Sequence, residues 1–167
     1  LPPKLVMLDA SGNRLSAVVP EAFLYTEHMQ HLNLSRNGLS GAVIGAPANI
    51  KRLSSLQALD LSHNRLTGGL PEDLGSLRHL EVLVANANAI DGSLPDGLGS
   101  MERLRVIDLA DNALHGPIPE DLGELPGLAA LDLRNNKLSG AVPLSVLTLE
   151  TLQHLDVSQN DLSWSAT

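Results

Sequence analysis

Carboxylates and imidazoles are the side chains of this sequence with chemistry to offer, and their spacing limits that chemistry. Asp108, Asp132 and Asp156 stand 24 residues apart. If the chain repeats at that period, they fall on adjacent strands with side chains about 5 Å apart. Like charges that close repel, so cations are wanted nearby, and Arg105 and Arg134 are placed to supply them. Three readings stay open: a solvated ladder neutralised by its own arginines, a surface for a basic partner, or a calcium site. The six histidines are His28, His31, His63, His79, His115 and His154. His31 and His154 share a position in the period but sit five strands apart, roughly 24 Å, too far to share a metal or a proton. His28 and His31 are three residues apart, with no carboxylate or third ligand at a suitable spacing. No serine has a paired base, and no G-x-x-x-x-G-K phosphate loop occurs. The chain has no cysteine, which excludes disulfides, thiolate zinc sites and cysteine nucleophiles. Apart from that calcium alternative, no catalytic, metal or cofactor site is expected.

Composition narrows the class further. The 167 residues make one domain with room for a continuous core. Eleven Lys and Arg against nineteen Asp and Glu leave a net charge of -8, which repels phosphate backbones and argues against nucleic acid as a partner. Aromatics are only 2%, so the core must be built from leucine, of which there are 35. No run approaches the ~18 apolar residues of a membrane helix, so no direct membrane insertion is expected. The first residue is Leu1 rather than Met, so the sequence reads as a processed product or a piece of something longer.

The elements that hold these side chains come from a repeat. Asn13, Asn37, Asn64, Asn88, Asn112, Asn136 and Asn160 recur in one context, with a single spacing of 27 among spacings of 24. Two residues after each asparagine stands Leu or Ile. Apolar residues also stand three, five and eight before it, as in Leu104, Ile107 and Leu109 before Asn112. The x-L-x-L-x segment alternates with period two, so it is a short strand with one buried and one wet face. Strands of successive repeats pair in parallel, and the leucine columns stack into one elongated core that no repeat buries alone. Each asparagine follows its strand where the chain turns inward. Its amide bonds backbone groups left open by that turn, so the seven form a structural ladder.

The pattern L-x-x-L-x-L-x-x-N-x-L, continued as Leu66-Thr-Gly-Gly-Leu-Pro71-Glu-Asp-Leu74-Gly-Ser-Leu77 and Leu114-His-Gly-Pro-Ile-Pro119-Glu-Asp-Leu122-Gly-Glu-Leu125, resembles the plant-type leucine-rich-repeat family. That type occurs in ectodomains of receptor-like kinases and receptor-like proteins and in polygalacturonase-inhibiting proteins. The resemblance implies an α/β repeat solenoid over residues 1–167. This would be a right-handed superhelix of about seven repeats, with a parallel β-sheet on the concave face and short 3-10 or helical turns on the convex side. It also implies a second short strand at the Gly-x-Ile-Pro segment. The cysteine pairs that usually flank such arrays are missing, which makes the chain a segment of a larger array or one with other caps. Repeat two carries three extra residues near Ile44-Gly45-Ala46. Repeat one departs most, with Ala17 where Gly recurs and Leu24-Tyr25-Thr26 where Gly-Ser-Leu recurs.

The resemblance implies recognition on the strand face and its flanks. Besides the aspartates, an apolar break gathers Val82, Val84, Ala87, Ala89, Val106 and Ala113 near the middle of the array, and exposed apolar area can mark an interface. The candidate partner-binding residues are Val82, Val84, Arg105, Val106, Asp108, Asp132, Arg134, His154 and Asp156. Asn33-Leu34-Ser35 is the one N-x-[ST] sequon, so Asn33 is expected to carry a glycan if the chain is secreted in a eukaryote. The expected function is non-catalytic recognition of a protein or peptide ligand, on the extracellular or cell-surface side, with a co-receptor or neighbouring domain as a further partner. The alternative is an intracellular scaffold or effector targeting arm attached to a separate enzymatic domain.

Overall fold

The computed structural model describes residues 1–20, 23, 26–43 and 47–164. The three-residue insertion at Ile44-Gly45-Ala46 and the departures at Leu24 and Tyr25 lie outside the described residues. Each repeat contributes one three-residue strand to a seven-stranded parallel sheet: β1 Met7–Asp9, β3 His31–Asn33, β5 Ala58–Asp60, β7 Val82–Val84, β9 Val106–Asp108, β11 Ala130–Asp132 and β13 His154–Asp156. The register keeps the sequence columns intact, with Leu8, Leu32, Leu59, Leu83, Ile107, Leu131 and Leu155 in one row. Because strand side chains alternate, this row points into the core and its two neighbours point out.

A second strand opens just after the asparagine: β2 Ser16–Val18, β4 Gly38–Ala42, β6 Arg65–Gly69, β8 Ala89–Asp91, β10 His115–Gly116, β12 Lys137–Val142 and β14 Asp161–Trp164. It therefore starts earlier than the expected Gly-x-Ile-Pro position. The cause is the ladder: the Leu66 N–H is held by Asn88 Oδ1 of the next repeat at 3.0 Å, which fixes the strand from its first residues. These strands form two sheets, β2-β4-β6-β8 and β10-β12-β14. The seam falls where Pro117 follows β10, since proline has no N–H to carry the ladder onward.

The third side is made of 3-10 turns at Pro47–Leu53, Glu72–Ser76, Asp96–Ser100 and Glu120–Glu124, and of one helical turn, α1 Leu144–Leu147. Pro71, Pro95, Pro119 and Pro143 open them with φ between -60° and -71°. Leu74, Leu98, Leu122 and Val146 then point inward and are buried. Neighbouring turns approach so closely that a Cβ on Gly123 would collide with Ser145, which is why glycine stands there.

The core runs the length of the array and opens at its ends. Leu34, Leu56, Leu80, Leu104, Leu109 and Leu133 are fully buried. Leu5, Leu8, Leu152, Leu155 and Leu162 are only partly buried, and Leu15 is 37% exposed. The asparagine ladder binds each repeat to the one before it. Asn112 Nδ2 donates to the carbonyls of Ala85, Leu109 and Ala110, each at 3.1 Å, and its Oδ1 accepts from Ile90 N at 3.0 Å. Asn37, Asn64, Asn88, Asn136 and Asn160 make the same backward bond. Asn13, in the first repeat, bonds carbonyls of its own turn, Ala10 and Ser11.

Candidate functional site

The outward aspartate column has a structural task. In each repeat that has a carboxylate or amide there, Oδ1 accepts the backbone N–H two residues on and closes the turn after the strand. The bonds run from Ser11 to Asp9, Ser35 to Asn33, Ser62 to Asp60, Ala110 to Asp108, Arg134 to Asp132 and Ser158 to Asp156. Where the residue two on is Ser35, Ser62 or Ser158, its hydroxyl donates to the same oxygen at 2.6–2.7 Å. Val84 is the exception in this column and has no acceptor to offer. The signal for this role was the recurrent serine two residues downstream.

The second oxygens decide the electrostatics. Arg134 Nη1 lies 2.6 Å from Asp132 Oδ2 and 4.0 Å from Asp156 Oδ2, while Nη2 lies 3.8 Å from Asp111 Oδ2. One guanidinium thus serves three carboxylates and covers Asp132, which is 8% exposed. Asp108 is left out of this group. Its burial, reinforced by the negative charge of Asp132, pushes its carboxyl above the usual range, against the opposing Ala110 N–H and the Arg134 charge. Asp156 is held below the usual range, chiefly by the hydroxyl and N–H of Ser158 and further by Arg134. The expected neutralisation of the ladder therefore rests on Arg134. Arg105 stands apart, beside Glu81, Glu102, Arg103 and Gly127 in a flank cavity of about 280 Å³. Its carbonyl accepts both Ala129 N and Ala130 N, marking the bend where the chain enters the strand face. His154 is exposed at the outer edge of the sheet.

The apolar residues also divide differently from the sequence grouping. Val82 and Val84 form one wall of a recess of about 250 Å³ on the strand face, which reaches across β1, β3 and β5 and includes Met7, His31, Ala58 and Asp60. Val106 lies one strand further along and outside it. Met7, Ala58 and Asp60 line this recess but are not among the candidates the sequence singles out. The available signal was the size sequence Met7, His31, Ala58, Val82 along one column, which dips at alanine. Asn33 sits in the same recess, half-buried. A further cavity of about 420 Å³ lies at the open end of the array, against Leu155, Leu162 and the exposed Trp164. Among the described residues, no three His, Asp or Glu are grouped so as to hold a metal ion. No described helix is long and apolar enough to cross a membrane.

Known proteins place this geometry in a family. Leucine-rich-repeat family models match residues 27–42, 55–77 and 102–162. The receptor-like protein CLAVATA2 of Arabidopsis thaliana is 41% identical over 64 residues, 38% of this chain and 8% of that protein. The solved structure of the Arabidopsis receptor kinase HAESA in complex with the peptide hormone IDA and the co-receptor SERK1 matches 96% of this chain and 26% of that one, with 33% identity and a TM-score of 0.90. The BIR2 ectodomain of Arabidopsis thaliana matches 78% of this chain and 69% of that one, with 32% identity and a TM-score of 0.68. The chain spans between 5% and 19% of the length of curated relatives such as a rice receptor kinase and chicken lumican. Repeat pattern, parallel sheet, asparagine ladder and these likenesses agree, and the chain belongs to the leucine-rich-repeat family, in the form carried by plant receptor ectodomains.

Proposed function

We propose that the chain is a non-catalytic recognition segment of an extracellular leucine-rich-repeat array, and that its strand face binds a peptide or an extended protein segment. The observation that carries this is the strand face itself. It holds an apolar recess at one end and a carboxylate group organised by Arg134 at the other, with three-residue strands fixing the outward columns. The likeness to ectodomains that bind peptide hormones and a co-receptor supports the extracellular reading over the intracellular scaffold. That the chain is one stretch of a longer array is part of the same proposal, supported by its partly buried end rows.

A phage-displayed library of seven-residue peptides, panned on the purified chain, tests it. Selected peptides should lose binding when the strand face is blocked by Val84→Arg, Val106→Arg or Ala130→Arg, and should keep it with Leu144→Arg on the convex side, where Leu144 is already exposed. Peptides that ignore all three strand-face changes would overturn the proposal.

A further inference from the structure

We infer that the recess over Ala58 seats one bulky apolar side chain of an extended peptide, and that a lysine or arginine next to that side chain pairs with Asp60. The inference rests on the peptide-recognition reading above and assigns that reading a position and a ligand chemistry.

The recess is a consequence of residue size in register. Met7, His31, Ala58 and Val82 occupy one outward column on β1, β3, β5 and β7. Alanine between histidine and valine leaves a gap one side chain deep, with Val84 closing it where the neighbouring column has no carboxylate. An apolar cavity of about 150 Å³ already accepts a benzene-sized group. An open recess of about 250 Å³ therefore admits one large aliphatic or aromatic side chain.

The rim supplies the charge. Asp60 Oδ1 is occupied by the N–H and hydroxyl of Ser62, whereas the Asp9 carboxylate is bonded by the hydroxyl and N–H of Ser11 and by the Asn33 side chain. No lysine or arginine among the described residues forms an ion pair with either carboxylate. The Asp132 and Asp156 carboxylates differ, because Arg134 already claims them. A basic partner therefore gains more at Asp60 than at the ladder that the sequence singles out. Apolar and acidic elements lie within one recess, so a single short segment meets both.

The test uses seven-residue peptides from the phage library, resynthesised and titrated calorimetrically against the chain and two variants. Ala58→Leu fills the recess with a side chain that points outward. Asp60→Asn keeps the bond from Ser62, as Asn33 does in the same column, and removes only the charge. The expected peptides carry Leu, Ile, Met or Phe within two positions of Lys or Arg. Ala58→Leu should weaken them more than about tenfold, as loss of a buried anchor does. Asp60→Asn should weaken them about three- to tenfold and flatten their salt dependence. Thermal unfolding of both variants confirms that the fold survives. Peptides blocked by Ala130→Arg but indifferent to Ala58→Leu would overturn the recess and leave strand-face recognition standing. Peptides indifferent to every strand-face change would overturn both.

Discussion

Arg134 and Asp132 form the tightest ion pair among the described residues, 2.6 Å between Nη1 and Oδ2, and the pair sits inside a group of carboxylates. The Asp132 side chain is nearly covered, while that of Arg134 is 40% exposed. The pair is thus intermediate between a screened surface bridge and a buried one. Removing the guanidinium leaves Asp132 uncompensated, with Asp156 and Asp111 nearby. Arg134→Met should destabilise the chain by about 1–2 kcal/mol, between the values for exposed and buried pairs. Urea unfolding at low salt checks this, and adding Asp132→Asn to Arg134→Met should recover part of the loss. If the single variant unfolds like the parent, Arg134 does not hold the group together.

Asp108 gives a pH prediction of definite sign. Its carboxyl is pushed up by burial and by Asp132. A group whose folded pKa exceeds its unfolded value contributes stability while protonated, and that contribution is lost as pH rises through the folded value. At neutral pH the charge of Asp108 therefore opposes folding. Asp108→Asn keeps an acceptor for Ala110 N–H and removes the charge, so Tm should rise at pH 7, and the gain should vanish near pH 3. Asp156 runs the other way: its stabilisation is present above the unfolded carboxylate range and fades on acidification. A variant no more stable than the parent at pH 7 would contradict the burial cost assigned to Asp108.

The framework was legible in the sequence because the repeat states each buried contact several times over. The Leu56, Leu59 and Leu61 columns and the asparagine ladder are where the period puts them. The spacing of the aspartate column shows only an acidic ladder that wants cations, although the serines two residues downstream of Asp60 and Asp156 mark the turn that its Oδ1 atoms close. Arg134 lies within the strand-to-turn segment, where the period fixes direction, and it reaches Asp132 and Asp156. Arg105 precedes its strand at a bend, where period-two alternation no longer decides which way a side chain points. The recess was hidden for another reason. Its depth depends on differences in size between His31, Ala58 and Val82, which lie 24 or 27 residues apart and become neighbours only through register.

The ladder can be tested at Asn112. Its amide satisfies three carbonyls and one N–H across two repeats. Asn112→Ala strands those groups in a part-buried turn and should cost at least about 1–3 kcal/mol. Chemical denaturation provides the measurement, and an unchanged midpoint would show that the ladder is decorative.

Ala17 occupies a backbone position that the other repeats give to glycine. Its φ is 80°, and Gly41, Gly68, Gly92, Gly116 and Gly140 sit between 75° and 85° in the same place. An L-residue there carries strain of about 1–2 kcal/mol, offset partly by the lower entropy of the unfolded alanine chain. Ala17→Gly should therefore stabilise the first repeat by about 0.5–1 kcal/mol net. Hydrogen exchange of the β2 and β4 amides reads this locally, since an end repeat opens before the rest of the array. Faster exchange in the variant would mean that the entropy cost of glycine outweighs the relief.

Asn33 ties the sequon to the recess. Its Oδ1 is bonded by the N–H and hydroxyl of Ser35, and its side chain is half-buried in the recess wall. The Asn33 side chain also reaches Asp9 on the neighbouring strand, and a glycan on it would rise from a residue that lines the recess, so glycosylation is expected to weaken peptide binding there. Chain secreted from a eukaryotic host should carry a glycan at Asn33 and bind more weakly the peptides selected on bacterially produced chain. Asn33→Gln, which removes the sequon, should restore binding to the secreted material. Mass spectrometry of the peptide containing Asn33, followed by calorimetry of each form, checks both halves. An unmodified Asn33 in secreted material would sink the glycan, and a glycosylated chain that binds as tightly as the bare one would sink the recess.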